Sequence, residues 1–294
     1  MPHHCWTSKI PIEKGWSQDK KYRVTDDQGN CFLLRISPMA QYAHRQRSYE
    51  LQLQAAALGV PMCEPVAFGV CDEGVYVLQT WIDGTDAEDS LPQLSSEAQY
   101  AYGQEAGRIL RIIHQIPAPP DLEDWSVRFN RKIDRKLTLY ADCPLRYAHG
   151  QAFIDFIQTH RGLLTGRPQA YQHGDYHLGN MMLNQNGRLM IIDFDRSDFG
   201  DPWEELNRIV WCAQASPLFA TGMVNGYFDD RVPQDFWKLL ALYISSNTLS
   251  ALSWAIPFGE KEVQVMRQQA ADVLRWYRQM TQTVPTWYMG PHPL

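Results

Sequence analysis

The sequence has no cysteine pair of the C-x-x-C kind. Its six cysteines stand at 5, 31, 63, 71, 143 and 212, so neither a zinc ribbon nor a redox motif is expected. They read as free thiols of a reducing compartment. No run of about 18 apolar residues occurs, which argues against a membrane-spanning helix. The opening stretch MPHHCWTSKIPIEKGW lacks the apolar segment of a secretory signal. The expectation is a cytoplasmic chain that meets no membrane. Positive charge is in short supply too. Lys and Arg number 27 against 33 Asp and Glu, a net charge of −6, which speaks against a broad nucleic-acid footprint. Internal repeats and low-complexity segments are absent, and nothing in the pattern specifies an oligomer.

What is present suits a globular protein with a sizeable core. The 294 residues are 45% hydrophobic and 20% charged, enough for one large domain or two modest ones. Two β-rich runs, Tyr22 to Val24 and Cys31 to Ile36, flank the Gly-containing turn TDDQGN. A helix follows over PMAQYAHRQRSYELQLQAAALGV, closed by Gly59 and Pro61. VAFGVCDEGVYVLQTWIDG reads as a second hairpin with Asp72-Glu73-Gly74 at its tip. From Ser95 the pattern turns helical, with further helices expected over 126–140, 149–164, 203–214, 233–254 and 259–282. One hairpin interrupts them at 181–193, turning at Asn186-Gly187. The organisation is α+β: a β-rich N-terminal lobe over 1–82 and a mainly helical C-terminal lobe over 83–294, with a hinge near Gln79 to Gly84.

Chemistry concentrates at that late hairpin. HGDYHLGN, residues 173–180, leads into its first strand, and DFDRSDFGD, residues 193–201, follows its second. A hairpin brings its outer ends together, so Asp175, Asn180 and Asp193 are expected to converge. Two oxygen ligands, Asn180 and Asp193, suit a hard cation such as Mg²⁺. Asp175 is then left as a candidate base. Singly, each of these is a common cap or turn residue; the spacing and the hairpin together point to a site. His173 and His177, with Asp175, offer a zinc set as an alternative, but Gly174 and Gly179 disfavour the helix such a pair requires.

The order His173-x-Asp175, Asn180, Asp193 is similar to the kinase catalytic loop and its later metal aspartate. The Gly after the first His, the second His and IIDFDRSDFGDP resemble the aminoglycoside phosphotransferase family, which includes antibiotic kinases and relatives acting on choline, sugars and other small metabolites. EKGWSQDKKY resembles that family's phosphate-covering turn. LLRIS stands where its phosphate-binding Lys lies, and LQTWIDG resembles the hinge that meets adenine. The likeness covers residues 10 to 215.

The resemblance implies a bilobal protein-kinase-like fold that uses ATP, or GTP, with Mg²⁺. It implies that Asp175 accepts the proton of a substrate hydroxyl and that His173 orients the loop. Asn180 and Asp193 would hold the metal. Backbone near Ser17 would cover the phosphates, Arg35 would replace the usual Lys with Glu50 as its ion-pair partner, and Gln79 and Trp81 would flank adenine. Arg is planar and permanently charged, so it is not an equivalent of Lys at such a site, and Lys20 or Lys21 is a further source of charge. The carboxylates Asp195, Asp198, Asp201, Glu204 and Glu205 outnumber Arg196 and Arg208 there. Any left unpaired would draw a cationic, hydroxylated amine as acceptor. Other acceptors (choline, a sugar, homoserine, a macrolide), a nucleotide-binding pseudokinase and a metal-dependent hydrolase are the competing readings. The basic run RFNRKIDRK, residues 128–136, reads as a solvated helix face.

Overall fold

The computed structural model describes residues 6–13, 19–291 and 293. The chain begins with strands β1 (Ser8–Pro11), β2 (Lys20–Thr25) and β3 (Cys31–Ser37), helix α1 (Tyr42–Ala57), and strands β4 (Pro65–Cys71), β5 (Gly74–Thr80) and β6 (Gly84–Asp86). Helices α2 (Ala87–Ser90), α3 (Ser96–Ile113), α4 (Trp125–Asp142) and α5 (Gln151–His160) follow. Then come β7 (Ala170–Gln172), β8 (Met181–Asn184), β9 (Leu189–Ile191) and β10 (Asp198–Gly200). Helices α6 (Ile209–Ala215), α7 (Pro217–Phe228), α8 (Gln234–Ala255) and α9 (Glu260–Trp276) complete it. The chain divides into two units, one of residues 1–90 with 179–197 and one of 91–178 with 198–294.

The first unit is built on a five-stranded antiparallel sheet ordered β1-β2-β3-β5-β4. Strand alternation sorts its side chains. Val24, Leu34, Ile36, Tyr76 and Leu78 form a core on one face. Lys21, Arg35 and Val77 are register partners one residue out of phase, so they lie on the other face. Helix α1 borders β4, with the Tyr42 and Tyr49 rings 5.3 and 5.6 Å from Phe68. Its buried residues are Arg45, Ser48, Gln52 and Ala55. A second sheet of three short strands, β6-β8-β9, belongs to the same unit. Its β8–β9 turn is closed by the Asn184 side chain, which accepts from the backbone N–H groups of Asn186 and Arg188 at 3.0 and 2.9 Å.

The second unit is helical apart from the β7–β10 pair. The Phe129 ring of α4 packs on Tyr243 of α8 at 5.0 Å. Helix α8 with its following turn, Gln234–Phe258, is long and apolar enough by length and composition to cross a membrane, which the sequence reading did not foresee. Two thirds of its apolar 18-residue window is buried inside the protein (67%), as expected of a core helix.

Helix α7 is also absent from the sequence expectation, because Ser216-Pro217 and glycines at 222 and 226 look like breakers. Here they act otherwise. The Ser216 hydroxyl accepts from Phe219 N–H at 3.0 Å and Pro217 fills the first turn, a start signal. Gly222 and Gly226 face Gly103 and Gly107 of α3. A Cβ at Gly107 would overlap the Met223 carbonyl oxygen, and one at Gly226 the Gln104 carbonyl oxygen. The two helices therefore approach to backbone contact.

Candidate active site

In the second unit, β7 delivers the chain into the HGDYH loop. His173 is fully buried, and its Nδ1 accepts from the Asp175 backbone N–H at 3.2 Å. In the neutral ring that leaves the proton on Nε2. Gly174 has φ 85°, a conformation that favours glycine. Its N–H donates to both Glu205 carboxylate oxygens at 3.0 and 3.1 Å. Tyr176 is buried and donates to the Ala106 carbonyl at 2.7 Å. These bonds fix the loop from both sides, and Glu205 is an anchor that charge counting could not reveal. The Asp175 carboxylate is 3.2 Å from Arg208 Nε and 3.7 Å from His177 Nε2, with its side chain 17% exposed. It is thus near a fixed cation.

The other acids of this unit are engaged. Asp201, fully buried, receives Arg167 at 2.7 and 2.8 Å, the Tyr243 hydroxyl at 2.6 Å and the Trp203 N–H at 3.0 Å. Burial, reinforced by this carboxylate, pushes the Tyr243 hydroxyl far up. Glu204 accepts from Lys132 at 3.4 Å and from Gln172 at 3.2 Å. Burial alone would raise Glu204, but Lys132, Lys136 and Arg208 outweigh it and hold the group low. Asp198 pairs with Arg128 at 3.4 Å.

The first unit carries a cluster of two guanidinium groups and three carboxylates. Arg35, on β3, pairs with Asp19 at 3.8 Å, with Asp193 at 3.4 Å and with Asp195. Arg45 reaches Asp19 at 2.5 Å and Asp195 at 2.8 Å. Asp195 is therefore paired with two guanidinium groups, as Asp198 and Asp201 are paired with one each in the other unit, while Glu205 accepts from the Gly174 N–H.

The expected pair of Arg35 with Glu50 is not formed. Glu50 is exposed and accepts from Gln46 at 3.1 Å. Helix phase is the reason: the inward stripe of α1 runs 45, 48, 52, 55, and position 50 falls outside it. Lys20 turns to Glu73 at 2.7 Å. Lys21 stands directly opposite Arg35 in the sheet register. Burial, then the adjacent Arg35, lowers its ammonium.

Asn180 and Asp193 meet at the open end of the β8–β9 hairpin. Met181 pairs with Ile191, and Ile192 N–H donates to the Asn180 carbonyl at 3.0 Å. Asp193 follows in a left-handed conformation, φ 66° and ψ 63°, which Asp tolerates better than most residues. Its side chain is 40% exposed. This oxygen-only pair fits a hard cation that keeps part of its water shell. Among the described residues no three of His, Cys, Asp and Glu gather as a metal cluster, which leaves the zinc alternative without a ligand set.

Gln79, near the end of β5, donates to Gln52 at 2.8 Å and to the Cys63 carbonyl at 3.4 Å. Trp81 Nε1 donates to Asp83 at 3.0 Å, and the Arg23 guanidinium lies 5.3 Å from its ring. Ser17 lies outside the described residues.

Solved structures share this fold. A thermostable mutant of aminoglycoside phosphotransferase APH(4)-Ia, in ternary complex with AMP-PNP and hygromycin B, matches at TM-score 0.67 with 17% identity, covering 94% of this chain and 95% of its own. A choline/ethanolamine kinase family protein from Mesorhizobium loti matches at TM-score 0.66 with 15% identity, covering 94% and 91%. The GDP complex of aminoglycoside 2'-phosphotransferase-IIIa matches at TM-score 0.65 with 15% identity, covering 93% and 94%. Among curated proteins none matches significantly. The model of the phosphotransferase enzyme family matches residues 9–237. With that match over most of its length and the shared fold, the chain belongs to the phosphotransferase enzyme family.

Proposed function

We propose that this protein is a small-molecule kinase that transfers the γ-phosphate of ATP, or GTP, to a hydroxyl of a small acceptor. The observation that carries this reading is the meeting of Asn180 and Asp193 at one hairpin end, five residues after Asp175 in a loop held on both sides. Asp175 accepts the acceptor's hydroxyl proton. The freed oxygen forms a bond to the γ-phosphorus while the bond to the β–γ bridging oxygen breaks, leaving the nucleoside diphosphate. Asn180 and Asp193 are the residues that would hold Mg²⁺, which neutralises phosphate charge when bound.

Arg35 and Arg45 supply fixed positive charge in the first unit, with Lys21 next to Arg35 in register. His173 and Glu205 position the loop that carries Asp175. Gln79 and Trp81 are kept as candidates for the adenine side, and Ser17 for the phosphate-covering turn. Glu50, exposed and turned away, has no support as a nucleotide contact. Phosphoryl transfer asks mainly for positioning and charge neutralisation, and the residues above supply both.

The hygromycin B complex of a similar structure favours an aminoglycoside-like, hydroxylated amine as one acceptor reading. Most of the acids that suggested a cationic acceptor are paired with Arg35, Arg45, Arg128, Arg167 and Lys132, which leaves Glu205 with the Gly174 N–H. The experiment is nucleoside diphosphate release measured across hydroxylated small molecules with Mg-ATP and Mg-GTP. Stimulation by one class of alcohol is expected. Tight nucleotide binding with no acceptor-dependent turnover would point to a nucleotide-binding regulator instead.

A further inference from the structure

Strand β2 puts a second arginine on the face of the sheet that carries Arg35. Val24 belongs to the sheet core, so its neighbour Arg23 lies on the opposite face, as Lys21 does. In register Arg23 stands beside Leu33, and Leu33 beside Gln79. This row is one same-face step along the strands from Lys21, Arg35 and Val77. Its cation, aliphatic chain and amide are each half-buried. Two strand spacings, about 10 Å, separate the backbones of Arg23 and Gln79.

The Arg23 guanidinium has no carboxylate beside it. Among the described residues it forms no ion pair, and its one hydrogen bond runs from Nη2 to the Cys31 thiol at 3.3 Å. Sulfur is a weak acceptor. The Arg23 Nε is buried and has no partner. The guanidinium lies 5.3 Å from the centre of the Trp81 ring, whose Nε1 donates to Asp83 at 3.0 Å. A planar cation set against a held aromatic ring, with donors to spare, suits the acceptors of a ligand.

Gln79 is oriented by a relay behind it. Gln52 Nε2 donates to the Ser48 hydroxyl at 3.0 Å, which leaves Gln52 Oε1 to accept from Gln79 Nε2 at 2.8 Å. Gln79 Nε2 also donates to the Cys63 carbonyl at 3.4 Å. Ser48 and Gln52 are both buried. With both amide N–H groups used in this way, Gln79 has its Oε1 left as an acceptor.

We propose that Arg23 and Gln79 read the base of the nucleotide, and that the base is guanine. The proposal rests on the reading of the chain as a nucleotide-dependent kinase and names its phosphate donor. Leu33, between the two, carries the flat ring system. The Arg23 fork brings two donors, which need two adjacent acceptors. Guanine has them in N7 and O6, whereas adenine sets its N6 amino donor beside N7. Gln79 Oε1 then accepts from the guanine N1–H, next to O6. Adenine would leave one guanidinium donor facing another donor.

Titration calorimetry with GDP, IDP and ADP tests this. IDP keeps N7, O6 and N1–H and lacks only the 2-amino group of guanine. The wild type should bind GDP and IDP alike, and ADP at least ten-fold more weakly, about 1.4 kcal/mol. Arg23→Met should bring GDP and IDP down to the ADP level and leave ADP unchanged, so the ADP affinity also reports a folded variant. Arg23→Lys keeps the charge without the fork and should lose the preference as well. A wild type that favours ADP, or equal losses for all three nucleotides in both variants, overturns the proposal and leaves the phosphotransfer reading standing. A wild type that binds none of the three overturns both.

Discussion

Lys136→Met should stabilise the protein, and the gain should depend on pH in one direction. An ordinary lysine titrates near 10.5, and burial brings Lys136 to about 7. Below about 7 both folded and unfolded chains hold the proton, and the folded state bears the full cost of a buried charge. Between the two values the unfolded chain binds a proton that the folded chain has lost, so wild-type stability rises with pH. Above 10.5 the penalty is gone. The span corresponds to at most about 5 kcal/mol, and relaxation around the site should bring the observed gain to about 2–4 kcal/mol at pH 6.5. Methionine keeps the length and apolar character of the stem, so little packing is lost. Urea unfolding followed by tryptophan fluorescence, in the absence of sulfate and phosphate, gives the comparison. The advantage of the variant should shrink steadily from pH 7 to pH 10. A variant that is less stable than wild type at pH 6.5, or an advantage that does not change with pH, would refute the claim that burial disfavours this ammonium.

Three further outcomes are expected. Gly107→Ala should cost about 3 kcal/mol or more in urea unfolding, because the added methyl meets backbone of α7 rather than a movable side chain; a loss below about 1 kcal/mol would mean the helices can separate cheaply. Arg35→Ala should raise the nucleotide KM or lower kcat ten-fold or more, since a charge-assisted contact to phosphate is worth about 1.5–3 kcal/mol. An unchanged enzyme would move that contact to Lys21 or Arg45. Asp193→Ala should abolish the Mg-dependent part of ATP binding in calorimetry, and equal binding with and without magnesium in both proteins would remove Asp193 from the metal site.

Much of the first unit was legible because its signals are local. Gly29 and Gly74 sit at tight turns between alternating strands with positive φ, 84° and 140°, and the 181–193 hairpin announced itself by Asn184 to Gly187. The candidate residues Asp175, Asn180 and Asp193 stood out by their spacing, by the hairpin between them and by the family resemblance. Other features depend on distant partners. Strand β6 has three residues and pairs with β8 about a hundred positions later, too short and too remote to read. Helix α7 was hidden because its glycines serve a close crossing with α3 rather than a break. Glu50 was chosen by its place in the helix, whereas the helix phase of α1 turns Arg45, Ser48 and Gln52 inward. The acids after Asp193 could be counted but not paired, since Arg45, Arg128 and Arg167 come from distant segments. Lys136 was legible in principle: positions 125, 129, 133, 136 and 140 form one stripe, and the richness of the run in Lys and Arg masked it.

The most direct test of the account compares wild type with Asp175→Asn in transfer of labelled γ-phosphate from Mg-ATP to an acceptor that stimulates turnover, with nucleotide affinity measured in parallel. The exchange removes proton acceptance and keeps shape. The account predicts that labelled product falls by at least a hundred-fold, on the scale of about 10²–10⁴ for a general base, while ATP affinity stays within a few-fold. Near-native transfer by Asp175→Asn would contradict it.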